Sequence, residues 1–349
     1  MKPTRRDVDA EEPDAIAGQA HPRETYALIG QDAALARAAR AIRSGRPPQA
    51  WLIAGPPGIG KATLAYRIAR YLLRFGASAS GPEDLGVPPD DAVSRQIEVG
   101  AHPGLLVLKR RLNDRGKLKT VLDVDEIRRL GAFFGMTAEA GGWRVAIIDS
   151  ADDMNDNAAN ALLKILEEPP QRAILLLVSH APGKLLATIR SRTRRLDLKP
   201  LSDAIVGQAL GALIPDTPAQ DRARLVLLAE GSLGLALKLA SGDGLTLAAD
   251  AEGLLSARGS PDVAALMALA ERVGRGTDGL GHFGEFLSQA ILQRIRAKAV
   301  NGEGDERAVQ TWERVNELYA RATGLHLEPR QTILASAREI ANAKRHGAL

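Results

Sequence analysis

The sequence predicts an α/β domain with a mostly parallel sheet, followed by a small helical domain and then by a larger all-helical domain. Three observations lead to this prediction. Short, continuously apolar runs alternate with helical periodicity up to Pro200, a pattern typical of buried parallel strands connected by helices. A glycine-rich loop follows the first of these runs. After Pro200 the strand-like runs end and only helical patterns continue.

Length and composition limit the classes of function that the protein can have. The 349 residues predict two or three domains. The absence of cysteine excludes a disulfide framework, an iron–sulfur cluster, a cysteine nucleophile and a Cys-ligated zinc site. A formal net charge of +4 favours a mixed-sign surface over a dedicated DNA-binding face, and 3% aromatic residues disfavour base stacking. Neither a membrane-length apolar run nor a signal-peptide core occurs, so we expect a cytoplasmic protein.

The elements of the α/β domain follow in chain order. Residues 1–22 are polar, mixed in charge and bracketed by prolines, so we expect a flexible tail. Residues 76–91 are rich in Gly, Ser, Pro and Asp without periodicity, which predicts an exposed excursion. The predicted strands are Ala50–Ala54, Leu105–Leu108, Val145–Ile148, Ile174–Val178 and Arg195–Leu198. The predicted helices are Gly30–Ser44, the segment carrying Leu64, Ile68, Leu72 and Phe75, Val124–Phe134 and Asn157–Glu168.

The domain boundaries are predicted from the same patterns. After the tail at 1–22, we expect the α/β domain at 23–200. A domain of short helices at 201–245 is broken by Pro215, Pro218 and Gly231. Longer helical patterns fill 246–349.

The strongest motif is Gly55–Lys61, which fits the phosphate-binding loop G-x-x-x-x-G-K with a strand before it and a helix after it. Its glycines let backbone N–H groups converge on phosphate oxygens, and Lys61 would reach the terminal phosphates. Ala62 departs from the motif, which has a Mg²⁺-binding Ser or Thr hydroxyl at this position; Thr63 lies about 100° further around the helix. The predicted nucleotide-binding residues of the loop are Gly55, Gly58, Ile59, Gly60, Lys61, Ala62 and Thr63.

A second element of the same site is the strand Val145–Ile148, which delivers Asp149 beside the phosphates. Asp152 and Asp153 come shortly afterwards, and we expect them to start or cap the next helix. A general base for nucleotide hydrolysis must stand within one hydrogen bond of the attacking water. Asp152 and Asp153 lie two and three residues beyond the position that directly follows Asp149, and a displacement of that size breaks the geometry.

A basic cluster surrounds a predicted turn at Asn113–Gly116. Such a cluster is compatible with contacts to DNA phosphates or to a partner, and it is also typical of a solvated hairpin tip. Its members are Lys109, Arg110, Arg111, Arg115, Lys117 and Lys119.

Two further runs, Asn160–Pro170 and Ile189–Thr193, together with Ala50–Gly55 and the phosphate-binding loop, resemble the clamp-loader branch of the AAA+ proteins. The resemblance covers about residues 24–240 and is most specific in Asn160–Pro170, whereas the carboxy-terminal part matches only in helical character and length. It implies an α/β P-loop AAA+ core, with 201–245 as a helical lid and 246–349 as an all-α collar through which subunits oligomerise.

The resemblance also implies roles for individual residues. Ser191–Thr193 takes the place of the family's Ser-Arg-Cys motif, with Thr193 replacing the cysteine. In that motif the arginine enters the ATP site of the neighbouring subunit, where a guanidinium is suited to bidentate phosphate contacts. The resemblance therefore implies that Arg192 is an arginine finger in trans and that Ser179 is the first sensor residue. From the residues alone, a basic string over Arg190–Arg195 that caps a strand is the simpler interpretation.

Three losses fall on this chain's own site. Ala62 lacks the Mg²⁺-binding hydroxyl, and Ser150 stands where an active AAA+ ATPase carries a water-polarising glutamate. Gly234 stands where active loader ATPases carry an arginine on the second sensor helix. Each loss removes charge stabilisation or water activation from phosphoryl transfer. The resemblance thus implies a subunit without independent ATP hydrolysis; it leaves ATP binding open, and no zinc or other metal is expected.

The implied function is that of a rigid, non-hydrolysing subunit of a clamp loader, which helps to place the sliding clamp on primed DNA. The implied partners are gamma- or tau-type ATPase subunits and a delta subunit, with clamp and DNA reached through the complex and no membrane partner. Two alternatives stay open. One is a working gamma/tau-like ATPase in which Thr63 and Asp152 take the missing roles; the other is an AAA+ adaptor outside replication.

Overall fold

The computed structural model describes residues 19–110, 119, 121–135, 142–257, 262–275, 279–325 and 327–349. Five strands form one sheet in the order β2-β3-β4-β1-β5, and every neighbouring pair is parallel. The strands are β1 (Ala50–Ala54), β2 (Leu105–Leu108), β3 (Arg144–Ile148), β4 (Ala173–Ser179) and β5 (Arg194–Asp197). The predicted α/β class with a parallel sheet is therefore confirmed.

Helices connect the strands and make up the rest of the regular structure. Those of the α/β part are α1 (Asp32–Arg43), α2 (Lys61–Phe75), α3 (Ala92–Glu98), α4 (Val124–Gly135), α5 (Asp156–Glu167) and α6 (Ala187–Ser191). Those that follow are α7 (Asp203–Leu213), α8 (Ala219–Ala229), α9 (Leu233–Ala240), α10 (Gly244–Ser256), α11 (Val263–Arg275), α12 (Gly279–Val300), α13 (Glu306–Gly324) and α14 (Pro329–Arg345). Within the described part of the chain beyond β5, all regular elements are helices, as predicted.

The sheet has helices on both faces, and β1 shows how the two cores are built. Successive side chains of a strand point to opposite faces. Trp51 and Ile53 accordingly lie in one core with α1 and α2, whereas Leu52 lies in the other with α4 and α5. Because both faces are covered, all five residues of β1 are buried, which explains why the sequence reads as an uninterrupted apolar run.

The segment before α3 corrects one prediction. Residues 76–91 contain no helix or strand, but Leu85 and Val87 are 0% and 5% exposed and belong to the core around α2. Arg67 on α2 holds the segment through an ion pair with Asp84 of 2.6 Å. The expectation of an exposed excursion is wrong at these two apolar residues, because two buried side chains are too few to produce a periodic pattern.

The chain divides into two compact units, Met1–Leu237 and Lys238–Leu349. The four-part division into 1–22, 23–200, 201–245 and 246–349 stays a prediction. In the second unit, α12 and α13 pack closely at Gly284, where an added Cβ would lie 2.6 Å from the Tyr319 ring. The Tyr319 hydroxyl shares a 3.0 Å hydrogen bond with Ser336 Oγ of α14, which ties three helices together.

Two predictions fall largely on residues outside the described part. The proposed tail at 1–22 is described only from residue 19, and Pro22–Glu24 forms a short 3₁₀ turn. Three of the six members of the basic cluster, Arg111, Arg115 and Lys117, and the whole predicted turn at Asn113–Gly116 also lie outside the described residues. No described helix combines the length and the apolar character that crossing a membrane requires.

Candidate functional site

The glycine-rich loop lies at the carboxyl end of β1, between that strand and α2. Gly58 and Gly60 have φ values of +72° and +98°, a region that side-chain-bearing residues rarely adopt. Lys61 is the first residue of α2. A strand, a glycine loop and a helix N-terminus in this order form the backbone cradle that binds phosphate groups in P-loop proteins.

Lys61 is buried inside this loop. Its residue is 3% exposed, and its Nζ donates hydrogen bonds to the carbonyl oxygens of Gly55 at 2.7 Å and Pro56 at 2.5 Å. Burial lowers the pKa of Lys61 to about 8, against the opposing attraction of Asp149 and Asp152. An ammonium has three N–H donors, so one stays available for an anion while the loop carbonyls hold the other two.

Asp152 connects several polar groups beside the loop through hydrogen bonds. Its carboxylate accepts hydrogen bonds from Ser179 Oγ at 2.7 Å, Ser150 Oγ at 3.1 Å, His180 N at 2.5 Å and Ala181 N at 3.3 Å. Burial alone would raise the pKa of Asp152, but these donors outweigh it and lower the pKa. The carboxylate is therefore charged and fully engaged in holding the end of β4.

This position of Asp152 corrects the expectation that it starts or caps the next helix. The helix α5 is capped by Asn155, whose Oδ1 accepts from Ala158 N at 2.9 Å. Asp152 lies instead in a 3₁₀ turn, Ala151–Asp153, and points back to β4. A helix-cap pattern is short-range, so it could not reveal this contact between two strand ends.

His180 is kept neutral at the same edge of the sheet. Desolvation of its ring and the nearby charge of Lys61 lower its pKa to about 4, although Asp152 attracts the protonated form. Ser179, the last residue of β4, is completely buried and donates to Asp152. The predicted Ser179 therefore lies at the site, but its hydroxyl hydrogen already has an acceptor.

The start of α9 packs directly on the phosphate-binding loop. Gly234 N donates to Gly58 O at 2.8 Å, and Ser232 Oγ donates to Pro57 O at 2.8 Å. A Cβ added to Gly234 would lie 2.7 Å from Gly58 Cα, closer than real Cβ contacts. The loop is thus supported by a segment that leaves no space for a side chain at Gly234.

A second support for the loop comes from Gln31, just before α1. Its Nε2 donates to Ile59 O at 3.3 Å and to Lys199 O at 2.8 Å. Gln31 is buried, so its amide joins the loop to the segment that follows β5. The sequence patterns missed this residue, because a single glutamine carries no periodicity; Ser232, in contrast, precedes a helix in the manner of an N-cap.

Arg192 lies near the amino ends of the strands, at the edge of the sheet opposite to the phosphate-binding loop. It directly follows α6 and precedes β5, whose first residue Arg194 pairs with Trp51 of β1. Gly55 is four residues further along β1, so the start of β5 lies roughly 13 Å from the loop along the strands. Arg192 NH2 makes a 2.8 Å ion pair with Glu167 Oε1.

A cavity of about 160 Å³ opens at this amino edge of the sheet, beside Arg192. It is lined by strand beginnings, by the end of α5 and by two arginines: Pro48, Gln49, Ala50, Phe134, Ile165, Leu166, Pro169, Pro170, Ala173, Leu175, Arg192 and Arg194. Arg192 and the phosphate-binding loop therefore belong to two separate sites of the α/β part.

The structure thus brings some predicted residues together and leaves one apart. Lys61, Asp149 and Asp152 interact electrostatically at the carboxyl edge, where Ser179 also lies, whereas Arg192 does not join them. Ala62 and Thr63 lie in the first turn of α2, directly after Lys61. Among the described residues, no group of three His, Cys, Asp or Glu side chains could hold a metal ion.

Comparison with known proteins gives matches over the same region. Residues 30–202 match the family model described as "DNA polymerase III, delta subunit". The chain is 38% identical to the DNA polymerase III subunit delta' of Pseudomonas aeruginosa over 184 residues, which are 52% of this chain and 53% of that protein. It is 35% identical to the same subunit of Escherichia coli over 202 residues, 58% of this chain and 57% of that one.

The DNA polymerase III subunit tau of Escherichia coli is 31% identical over 233 residues, which cover 63% of this chain and 34% of that protein. This chain spans about half the length of the curated delta' relatives that it matches.

The parallel sheet and the loop between β1 and α2 define an α/β P-loop protein with a helical carboxy-terminal part. Over residues 30–202 the chain matches the DNA polymerase III delta family model, and over about half its length it is similar to bacterial DNA polymerase III delta' subunits. The resemblance to the clamp-loader branch of the AAA+ proteins is therefore confirmed.

Proposed function

We propose that this protein is the delta-prime subunit of a bacterial clamp loader: a non-hydrolysing member that supplies Arg192 to a neighbour's ATP site. Its partners would be gamma- or tau-type ATPase subunits and a delta subunit, and the complex would place a sliding clamp on primed DNA. The observation that carries the proposal is the location of Arg192, because it lies at the sheet edge opposite to its own phosphate-binding loop. An arginine so placed can contact nucleotide only in another subunit.

The state of the chain's own site supports the absence of hydrolysis. Asp152 is the carboxylate that would have to replace the missing glutamate, but it accepts four hydrogen bonds and is held charged by them. A base in that position would have to release its donors before it could take a proton from water. At Gly234 the contact with Gly58 leaves no space for an arginine.

Nucleotide binding without turnover is the second part of the proposal. The loop keeps its left-handed glycines and its buried Lys61, and these are the groups that hold phosphates in P-loop proteins. Ala62 supplies no hydroxyl for Mg²⁺. We therefore expect any bound nucleotide to be held by backbone N–H groups and Lys61, with weak dependence on Mg²⁺.

The test compares wild-type and Arg192→Ala protein in a loader reconstituted with its ATPase subunits, delta subunit, clamp and primed DNA. We expect hydrolysis at the neighbouring site to slow by at least about 100-fold, since arginine fingers in GTPases contribute about 10³–10⁵. In a rapid-quench experiment, the first turnover should therefore consume one ATP fewer per complex.

Arg195→Ala is the matched control, because Arg195 is an exposed arginine on β5 that pairs with Asp197 of the same strand at 2.7 Å. Its first turnover should equal that of the wild type. If Arg192→Ala also hydrolyses the full complement of ATP, in a complex that remains intact by size-exclusion chromatography, the proposed role of Arg192 in trans is wrong.

A further inference from the structure

The guanidinium of Arg192 already has a partner within its own chain. NH2 lies 2.8 Å from Glu167 Oε1, and NH1 donates to Thr188 O at 3.2 Å. Glu167 is the last residue of α5, and Thr188 lies in α6. Two regular elements therefore hold the side chain, and the charge of Arg192 is offset by a carboxylate in direct contact.

This ion pair lies at the protein surface, where another anion can reach it. The side chains of Arg192 and Glu167 are 37% and 51% exposed. An arginine has five N–H donors, and in the described part of the chain NH1 and NH2 of Arg192 each contact one partner. A phosphate group brings more negative charge than a carboxylate and matches the guanidinium fork, so it can compete with Glu167 for Arg192.

We infer that Glu167 is a regulatory residue: it holds Arg192 in a resting position, and the nucleotide phosphates of the neighbouring subunit must displace it. This inference rests on the proposed role of Arg192 in trans. In the resting state, the guanidinium is oriented along its own chain and its charge is neutralised. When the neighbour binds ATP, the phosphates replace the carboxylate, and the ion pair acts as a competitor that weakens the apparent affinity of the neighbouring site.

The expected effect is modest, because exposed ion pairs are weak. If the pair is formed in most of the free molecules, the neighbour's apparent affinity is reduced by the fraction in which Arg192 is free. The usual strength of exposed pairs limits this factor to about fivefold. Removal of the carboxylate charge should therefore tighten ATP binding at the neighbouring site by about two- to fivefold.

The experiment uses the reconstituted loader with Glu167→Gln, which keeps the size of the side chain and a hydrogen-bond acceptor but removes the charge. Equilibrium titration with a fluorescent, non-hydrolysable ATP analogue measures affinity, and rapid-quench hydrolysis measures the rate. We expect the neighbouring site to bind the analogue about two- to fivefold more tightly, with its maximal hydrolysis rate changed by less than about twofold.

Glu168→Gln is the matched control, since Glu168 is the adjacent exposed glutamate and has no ion-pair partner in the described part of the chain. It should leave the affinity unchanged. The double variant Glu167→Gln/Arg192→Ala should bind the analogue as Arg192→Ala alone does, because the competitor has no effect once the arginine is absent. A merely structural role of Glu167 would still be detected in the double variant.

Two outcomes separate the inference from the proposed function on which it rests. If Arg192→Ala slows hydrolysis but Glu167→Gln leaves the affinity unchanged or weakens it, Glu167 does not compete with the phosphates and the inference is overturned. If Arg192→Ala has no effect on hydrolysis, the proposed function itself fails. A lower maximal rate in Glu167→Gln would mean that Glu167 positions Arg192 rather than restrains it, and this too would overturn the inference.

Discussion

At the residue scale, Lys61 shows that the phosphate-binding loop buries a positive charge whose desolvation is unfavourable. Its ammonium is nearly inaccessible to water, and burial lowers its pKa to about 8 from an ordinary value of 10.5. Asp149 and Asp152 offset only part of this desolvation. The loop carbonyls of Gly55 and Pro56 accept two of its hydrogen bonds. A bound phosphate would supply the negative charge that the free site lacks.

This lowered pKa predicts a pH dependence of stability. Between about pH 8 and 10.5, Lys61 holds fewer protons in the folded chain than in the unfolded chain, so its contribution to stability rises with pH in that interval. Above pH 10.5 Lys61 is neutral in both states, so its burial carries no charge penalty. Below pH 8 it is protonated in both states, and the full penalty of burying the charge lowers the stability. The total change for this one group is about 3 kcal/mol.

Urea denaturation of wild type and Lys61→Met across this interval measures the effect, because the difference between the two proteins removes the titration of all other groups. We expect the free energy of unfolding of the wild type to increase relative to Lys61→Met as the pH is raised. A difference that stays constant from about pH 7 to 10.5 would mean that Lys61 titrates as an ordinary exposed lysine.

At the scale of elements, the loop and the start of α9 are joined through two glycines. Gly234→Ala is predicted to destabilise the chain, because the new Cβ would lie 2.7 Å from Gly58 Cα and 2.9 Å from Gly58 O. The neighbours are backbone atoms that cannot rotate away, so we expect a loss of about 1–3 kcal/mol in the free energy of unfolding.

Gly207→Ala on α7 provides the matched control for that substitution. Its nearest neighbour would be Val226 Cγ2 at 3.7 Å, an ordinary contact, and alanine is the better helix former by about 1 kcal/mol. Gly207→Ala should therefore raise stability while Gly234→Ala lowers it. Equal effects of the two variants in urea denaturation would show that α9 moves away from the loop at little cost.

The elements that the sequence predicts best are those whose position depends on a single local pattern. β1 and β2 begin and end at the predicted residues, because each is a short apolar run in a sheet covered on both faces. The left-handed glycines and Lys61 were equally predictable, since the motif specifies their conformation and chemistry together.

What the sequence did not predict are contacts between segments far apart in the chain. The bond from Ser179 to Asp152, the support of Ile59 by Gln31 and the ion pair of Glu167 with Arg192 all join different elements. Periodicity and capping rules describe neighbours within one element, so they give no information about such partners.

At the scale of the whole molecule, the parallel sheet separates the two sites. In a parallel sheet, all carboxyl ends lie at one edge and all amino ends at the other. The phosphate-binding loop lies at the first edge and Arg192 at the second. One copy of the chain therefore cannot combine its loop with its own arginine, whereas an assembly in which the amino edge of one subunit faces the loop of the next can do so.

This separation predicts that the isolated chain does not turn over ATP above the background of Lys61→Met. Hydrolysis needs an activated water and charge stabilisation on the phosphates, but Ala62 and Ser150 replace the required groups and the carboxylate of Asp152 is already occupied. Steady-state phosphate release from the purified wild type and from Lys61→Met, each with Mg²⁺, should agree within error. A rate that Lys61→Met abolishes would favour the gamma/tau-like alternative, in which Thr63 and Asp152 take over the missing roles. A loader reconstituted with Lys61→Met should retain its turnover, because the proposed function assigns the hydrolysis of ATP to the neighbouring subunits.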